Sequence, residues 1–298
     1  MVTGGNGFIG SHVVDLLVER GYKVVIVDTA DRKGNPDKQT KWYRLDITDQ
    51  KLADVFDKER PEAVIHMAAQ VDVSRSVIDP LMDANVNILG SLNVLNACVN
   101  YKVMKVVYSS TSAVYGENGA DALNEQEKIK PISCYGASKY VPEIYLEVLS
   151  KLHGLKYTAL RYSNVYGERQ GDKGEGGVIP IFIRSLLKDR SPVIFGDGMQ
   201  TRDFIYAGDV AEANISALTA ADNTVMNVSS GTSITILQLF QQIRTLMGKE
   251  ISPQFKEKRS GDIQHSLLDN AKGVKLLNWK PKVNITEGLR RTIKYYQK

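Results

Sequence analysis

The stretch Thr3-Gly4-Gly5-Asn6-Gly7-Phe8-Ile9-Gly10 constrains the fold more than any other part of the chain. Glycines at positions 4, 7 and 10 permit a tight turn and let backbone N–H groups come close to a bound anion. A helical apolar pattern follows through Val13, Val14, Leu16, Leu17 and Val18, and Gly21 closes it as a helix-ending glycine. Lys23-Val24-Val25-Ile26-Val27-Asp28 then reads as a buried strand. Asp28 stands 18 residues after Gly10, where an acid can accept hydrogen bonds from an adenosine ribose. The combination predicts a dinucleotide site on a βαβ unit. A carboxylate at Asp28 repels a 2′-phosphate and so favours NAD over NADP, although Arg32 and Lys33 lie close enough to offset part of that repulsion. The first strand holds only Met1-Val2-Thr3, against about five residues for a central strand. Either a start further upstream or a short, less well-paired strand fits that observation.

The alternation continues. Trp42 to Leu45 is expected to be a strand leaving through Asp46-Ile47, where Asp46 reads equally as an acceptor for an adenine amino group or as a cap for a helix over Asp49 to Lys58. Ala63 to His66 is the next strand, and Met67-Ala68-Ala69 after it is small enough for a cofactor to lie over the strand end. His66 is expected to be packed and hydrogen-bonded rather than a ligand or base. Leu81 to Tyr101 reads as one long helix; its asparagines are poor helix formers, and Asn85 is a candidate contact to cofactor or backbone. Val103 to Tyr108 is a further strand. Strands alternating with helices predict a parallel, doubly wound α/β sheet of Rossmann type, with its ligand crevice at the strand C-termini.

That last strand runs into Ser109-Ser110-Thr111, and Tyr135-Gly136-Ala137-Ser138-Lys139 follows at a helix start. Tyr135 and Lys139 are about one turn apart and share a face. An ammonium beside a phenol favours the phenolate, and a tyrosinate next to a hydroxyl can take a proton from an alcohol or return it. By itself such a pair is common and is more often structural.

Composition narrows the rest. The chain has 298 residues, 43% hydrophobic and 24% charged, with a net charge of +4 from scattered basic residues. No basic block suggests nucleic acid, and no apolar run of about 18 residues suggests a membrane span. Cys98 and Cys134 lack metal-site spacing and read as free thiols of a reducing cytosol, so a cytoplasmic protein without a metal is expected.

The glycine turn, Asp28, His66-Met67-Ala68-Ala69, Ser109-Ser110-Thr111 and the Tyr135/Lys139 pair together resemble the extended short-chain dehydrogenase/reductase family. Tyr108 to Gly116, Leu160 to Gly167, Gly196-Asp197-Gly198, Thr201 to Ile205 and Arg259-Ser260-Gly261-Asp262 are similar to its UDP-hexose 4-epimerase branch. The related dehydratases place Asp-Glu after the central threonine, and the decarboxylase relatives a glutamate in that loop. Ser112 and Ala113 stand there in this chain, and neither can serve as the extra acid or base. A nucleotide-sugar reductase and a non-enzymatic dinucleotide sensor are the alternatives.

The resemblance implies that Tyr135, Lys139 and Thr111 carry catalysis, with tightly held NAD as the redox partner. It implies NAD contacts from Gly4, Gly7, Phe8, Ile9, Gly10, Asp28, Asp46, Ile47, Met67, Ala68, Ala69, Asn85, Ser109 and Tyr162, together with Tyr135 and Lys139. A UDP-sugar is expected to meet Thr111, Ser112, Tyr135, Asn164, Val178, Phe195, Arg202, Arg259, Asp262 and Ser266. Arg202 and Arg259 suit a diphosphate because a guanidinium donates two parallel bonds. Arg202 reads alternatively as a surface ion pair with Asp203, and Asn164 as a turn residue. Ser266, where the family often has a bulky tyrosine, leaves room for an N-acetyl group at C2. The domain boundaries expected are 1–164 for the NAD-binding unit, with 203–225 returning to it, and 165–298 for a smaller α/β substrate lobe. Gly171 to Gly177 reads as a mobile loop, Val178 to Leu187 as an amphipathic helix, and Pro142 as a bend or early turn in the Tyr135 helix. A homodimer through the Leu81–Tyr101 and Tyr135 helices is implied as well.

Overall fold

Valine and isoleucine fill Val24–Asp28, the second strand, and nearly all of it is buried, as expected for a strand covered on both faces. The computed structural model describes residues 1–31, 40–117, 119, 121–171, 177–258 and 263–298. The chain opens with β1 (Val2–Thr3), α1 (Phe8–Glu19), β2 (Val24–Asp28), β3 (Thr40–Arg44), α2 (Leu52–Glu59) and β4 (Ala63–His66). Next come α3 (Val73–Ile78), α4 (Pro80–Ala84), a π-helical turn over Asn85–Gly90, α5 (Ser91–Asn100) and β5 (Lys105–Thr111). A 3₁₀ turn over Ser112–Val114 precedes α6 (Cys134–His153), β6 (Lys156–Tyr162), β7 (Asn164–Tyr166), α7 (Val178–Leu187), β8 (Val193–Phe195) and β9 (Thr201–Tyr206). The chain finishes with α8 (Ala207–Ala217), β10 (Thr224–Val228), β11 (Ser233–Thr235), α9 (Ile236–Leu246), β12 (Gln254–Lys256), α10 (Ala271–Leu277) and α11 (Ile285–Tyr296).

Seven strands form one sheet in the order β3-β2-β1-β4-β5-β6-β10, every pairing parallel. The order reverses at β1, so a crevice opens between the C-terminal ends of β1 and β4, where a doubly wound sheet takes its ligand. Short as it is, β1 is paired on both sides, Val2 opposite Ile26 and Ile65. One core lies under α1, α8 and α10 and includes Val13, Leu17, Ile26, Val210 and Trp279. The core on the opposite face is built from Phe56, Val94, Leu95, Tyr108 and Leu146.

After β6 the chain builds a smaller lobe, with β7, β9 and β11 in a mixed sheet and β8 paired with β12. Phe182, Phe240, Leu239 and Leu289 form its core. α8 then packs on α1, and β10 extends the main sheet beside β6.

The helix expected over Leu81 to Tyr101 is instead α4, a π turn and α5 in continuous succession. Ser91 Oγ donates to the Asn87 carbonyl at 2.6 Å, the acceptor that the Ser91 N–H would use in an α-helix. Pro142 lies inside α6 without ending it; the helix runs on to His153 and closes on left-handed Gly154. β3 covers Thr40–Arg44 rather than Trp42 to Leu45, and α2 begins at Leu52 rather than Asp49.

Candidate functional site

The glycine turn brings the start of α1 directly against the end of β1. A Cβ on Gly10 would lie 2.0 Å from the Gly4 carbonyl oxygen, so only glycine allows the turn and helix to close this tightly. α1 starts after extended Gly7 with no side-chain cap, leaving its first N–H groups and its positive dipole end for an anion such as a pyrophosphate. Asp28, at the end of β2, is buried and held by two backbone donors, Asn6 N on Oδ2 and Ala30 N on Oδ1, both at 2.8 Å. Each oxygen keeps a lone pair for a ribose hydroxyl. These residues fit NAD: open amides at the pyrophosphate position, and an oriented acid at the ribose position. Arg32 and Lys33 lie outside the described residues.

Thr3 organises the far wall, a role its sequence position does not reveal. Its hydroxyl meets His66 Nδ1 at 2.6 Å and accepts from Met67 N at 3.2 Å and Ala68 N at 3.3 Å, so Met67-Ala68-Ala69 leaves β4 beside the glycine turn. His66 is fully buried, its Nε2 meeting Ser91 Oγ at 2.9 Å, and burial together with Lys139 lowers its pKa to about 3. It is the packed, hydrogen-bonded strand residue expected.

Asp46 is exposed and turns onto Thr48, accepting from its N–H at 2.9 Å and its hydroxyl at 2.8 Å; Ile47 is buried in the core. This Asx turn lies ahead of α2 rather than capping it. Asn85 is exposed, whereas Asn87 faces inward, its Nδ2 donating to the Gln70 carbonyl, Asp83 Oδ1 and Ser138 Oγ at 2.9, 3.1 and 3.0 Å.

The hydroxyl trio ends β5. Ser109 Oγ meets Tyr162 Oη at 3.0 Å, and that phenol donates to Asn214 Oδ1 at 2.9 Å. Burial raises the Tyr162 pKa to about 12. The Tyr162 side chain is buried in the core under α8, and its phenol is engaged by Ser109 and Asn214. Ser110 turns the other way and donates to Glu143 of α6. Thr111 caps the 3₁₀ turn, its Oγ1 accepting from Ala113 N at 3.2 Å, and stays half-buried beside Ser112.

α6 is docked on that turn. A Cβ on Gly136 would stand 2.6 Å from the Ala113 carbonyl oxygen, so the helix start and the exit of β5 touch at backbone level. Ser133 caps the helix, accepting from Gly136 N at 3.1 Å, and Tyr135 N donates to Ser76 Oγ of α3 at 3.1 Å. Tyr135 is half-buried at this end. Lys139 is buried one turn deeper, its Nζ 4.5 Å from the centre of the Tyr108 ring. Burial lowers the Lys139 pKa to about 7, against the opposing pull of Glu143 and Asp83. Glu143 is in turn held by Arg161 of β6. The arrangement can move a proton between an alcohol and a phenol beside a bound nicotinamide.

A cleft of about 350 Å³ opens within the smaller lobe. Asn164, Val178, Phe195 and Arg202 line it, joined by Gln200 and Tyr166. Asn164 Nδ2 donates to the Asp203 carbonyl at 3.2 Å. Asp203 is fully buried and accepts from Ser163 Oγ at 3.1 Å and from Ser230 N and Oγ at 3.0 and 2.8 Å, with its pKa raised by burial. Its carboxylate is thus turned inward, and Arg202 lines the cleft with a guanidinium bonded through Nη1 to the Thr201 carbonyl at 2.9 Å. Ser266 N donates to the Thr201 carbonyl at 3.2 Å, which puts Ser266 beside the strand that carries Arg202. Arg259 and Asp262 lie outside the described residues, as do 172–176 of the expected loop. Among the described residues no cluster of histidine, cysteine and carboxylate side chains could hold a metal, and no helix is long and apolar enough to cross a membrane.

Residues 1–229 match the model of the NAD dependent epimerase/dehydratase family. A putative UDP-glucose 4-epimerase of Methanocaldococcus jannaschii is 43% identical, with 99% of this chain and 97% of that protein aligned. The structure of a UDP-glucose 4-epimerase from Thermotoga maritima with UDP-glucose superposes with a TM-score of 0.96 at 44% identity, covering 99% of this chain and 97% of the other. That of a UDP-N-acetylglucosamine 4-epimerase from Methanobrevibacter ruminantium, in complex with UDP-N-acetylmuramic acid, gives 0.94 at 40% identity, with 99% and 97% covered.

Proposed function

Because the chain belongs to the NAD dependent epimerase/dehydratase family, we propose that it inverts the configuration at C4 of a UDP-hexose, using NAD that stays bound between turnovers. The observation that carries this reading is the docking of α6 on the exit of β5, which gathers Tyr135, Lys139 and Thr111 at one edge of the dinucleotide crevice.

Bound NAD supplies the acceptor, and then the donor, of the C4 hydride. Gly4, Gly7 to Gly10 and Asp28 hold its pyrophosphate and ribose, with Met67 to Ala69 along its flank. Tyr135 takes the proton from the sugar O4 and later returns it. Lys139 in its charged form favours the phenolate, and Thr111 hydrogen-bonds O4. Arg202, Asn164 and Phe195 anchor the nucleotide diphosphate, with Arg259 and Asp262 proposed to join them. The sugar can then turn over inside the site while the anchor keeps it from leaving. Ser112 and Ala113 offer no acid or base for loss of water or carbon dioxide, so the chemistry stays at one carbon.

Ser266 is small, and we assign it to the C2 side of the sugar, where it admits an N-acetyl group. UDP-glucose/UDP-galactose and the N-acetylated pair are then both substrates. The M. jannaschii and M. ruminantium relatives carry one and the other specificity in their names, which supports this breadth. We take 1–164 with 203–225 as the NAD-binding unit and the remainder from 165 as the substrate lobe.

A second copy of the chain is the proposed partner. Ile78, Leu81 and Leu89 on the α3–α5 side, and Ile144, Val148 and Leu152 at successive turns of α6, leave adjoining apolar faces in solvent.

The deciding experiment denatures the purified protein, assays the supernatant for NAD⁺, and incubates the native protein with UDP-galactose and UDP-N-acetylgalactosamine. Released NAD⁺ and formation of the gluco epimers are expected. Failure to interconvert either pair removes the epimerase reading. Stoichiometric consumption of NADH with a deoxysugar product points to a reductase instead.

A further inference from the structure

Lys139 meets charged and titratable groups from every element packed around it. His66 of β4 is held neutral by burial, and Tyr108 of β5 offers the face of its ring. Tyr135 and Glu143 share its helix, and Asp83 comes from α4, which packs on α6. Two of these groups are carboxylates, and they differ in how they are satisfied. Glu143 is bidentate to Arg161, through Nε at 3.0 Å and Nη2 at 2.6 Å, and also accepts from Ser110, so a guanidinium already matches its charge. Asp83 is 1% exposed. Its Oδ1 accepts from the neutral amides of Gln70 at 2.8 Å and Asn87 at 3.1 Å, and its Oδ2 has no hydrogen-bond partner among the described residues. A buried carboxylate with an orphan oxygen is costly and calls for a compensating charge. The Asn87 amide that touches Asp83 also reaches Ser138 Oγ at 3.0 Å, and Ser138 Oγ donates to the Tyr135 carbonyl at 3.1 Å.

We propose that Asp83 is a positioning residue for the proton-transfer pair: its buried carboxylate is the counter-charge that keeps the Lys139 ammonium protonated, and through Asn87 and Ser138 it fixes the helical turn that carries Tyr135 and Lys139. The inference rests on the epimerase reading for its kinetic test and stands apart from it in its spectroscopic one. Without Asp83, burial of Lys139 is opposed by one carboxylate rather than two, and that one is matched by Arg161. The ammonium is then lost at lower pH, and the phenolate of Tyr135 loses its support.

The test uses Asp83→Asn, which keeps shape and an acceptor for Gln70 and Asn87, and Asp83→Ser, which is smaller and also neutral. In NAD-loaded protein labelled with [ε-13C]lysine, the Lys139 resonance is assigned by its loss in Lys139→Arg and titrated with pH. Its midpoint is expected to fall by about one to three pH units in both variants, the usual range for loss of a nearby opposite charge. The alkaline limb of kcat/KM for UDP-galactose is expected to move down with it, so kcat/KM falls tenfold or more on that limb while the acid side changes little. A uniform loss of activity with the Lys139 midpoint unmoved makes Asp83 merely structural and overturns the proposal, as does a neutral variant that does not fold. A wild-type protein that turns over neither UDP-galactose nor UDP-N-acetylgalactosamine removes the epimerase reading and leaves the lysine titration to decide Asp83.

Discussion

Glu143 and Arg161 form a bidentate ion pair sealed between α6 and β6, with side-chain exposures of 3% and 5%. Arg161 Nη1 also donates to Tyr115 Oη at 3.0 Å, and Tyr115 passes the contact on to Asn227 Oδ1 of β10 at 2.7 Å. With Ser110 of β5 also donating to Glu143, the pair ties the helix of Tyr135 and Lys139 to three neighbouring strands of the main sheet, β5, β6 and β10. Arg161→Met leaves Glu143 charged and uncompensated in the interior. A loss of about 3–5 kcal/mol in urea unfolding is expected, the range for breaking one side of a buried pair. A loss under 1 kcal/mol would mean that the pair does not hold the helix.

His66 makes folding sensitive to mild acid. Its folded pKa is depressed to about 3, while in the unfolded chain it returns to the ordinary histidine value of 6.5. Its contribution is thus fully present above pH 6.5 and is lost as pH falls from there toward 3. Between pH 7.5 and 5.5 the stability drops by about 1.4 kcal/mol through this group. His66→Gln keeps a hydrogen-bonding side chain between Thr3 and Ser91 but cannot titrate. The difference in unfolding free energy from urea titration between wild type and variant should therefore narrow by that amount over the same interval.

Gly10→Ala tests the dinucleotide cradle. The added methyl would sit 2.0 Å from a backbone carbonyl oxygen that has no rotamer to escape into. Displacing the turn costs about 1–3 kcal/mol by the usual scale of overpacking. The NAD⁺ recovered from denatured protein is expected to fall to a small fraction of the wild-type yield. Full retention of NAD would show that the turn does not carry the pyrophosphate.

Tyr135→Phe removes the proposed proton acceptor and leaves the ring. A fall of about 10²–10⁴ in kcat with bound NAD unchanged is expected. Thr111→Val, by contrast, removes one hydrogen bond at O4 and the cap of the 3₁₀ turn, so its effect on kcat should be smaller. A phenylalanine variant with near-normal turnover would move the base elsewhere.

Ile78, at 83% exposure, and Leu152, at 70%, are the prominences of the proposed subunit contact. The double substitution Ile78→Asp with Leu152→Arg should convert a dimer to a monomer in sedimentation equilibrium, with the far-UV spectrum unchanged. A wild-type chain that sediments as a monomer would sink the dimer directly.

The sequence by itself determined the features that periodicity and residue chemistry encode locally. Ala63–His66 and Val178–Leu187 have the limits that their apolar patterns predicted, and the parallel sheet followed from the alternation of strands and helices. The tight turn over Gly4 to Gly10 and the place of Asp28 at the end of the second strand were legible from the glycine spacing and the apolar run that follows. Tertiary structure decided what depends on partners far along the chain. Thr3 reads as an ordinary strand residue until His66, 63 positions away, closes on its hydroxyl. Tyr162 reads as an ordinary residue of β6 until Ser109 and Asn214 close on its phenol. The three-residue strands β7 and β11 are too short to carry a period, and they exist because they pair with β9. For Tyr135 and Lys139 the sequence supplied the helical spacing. The environment of Lys139, buried beside Asp83, Glu143 and His66, arises from elements up to 73 residues apart in the chain, Lys139 from His66, because desolvation and Coulomb forces act through space rather than along the backbone.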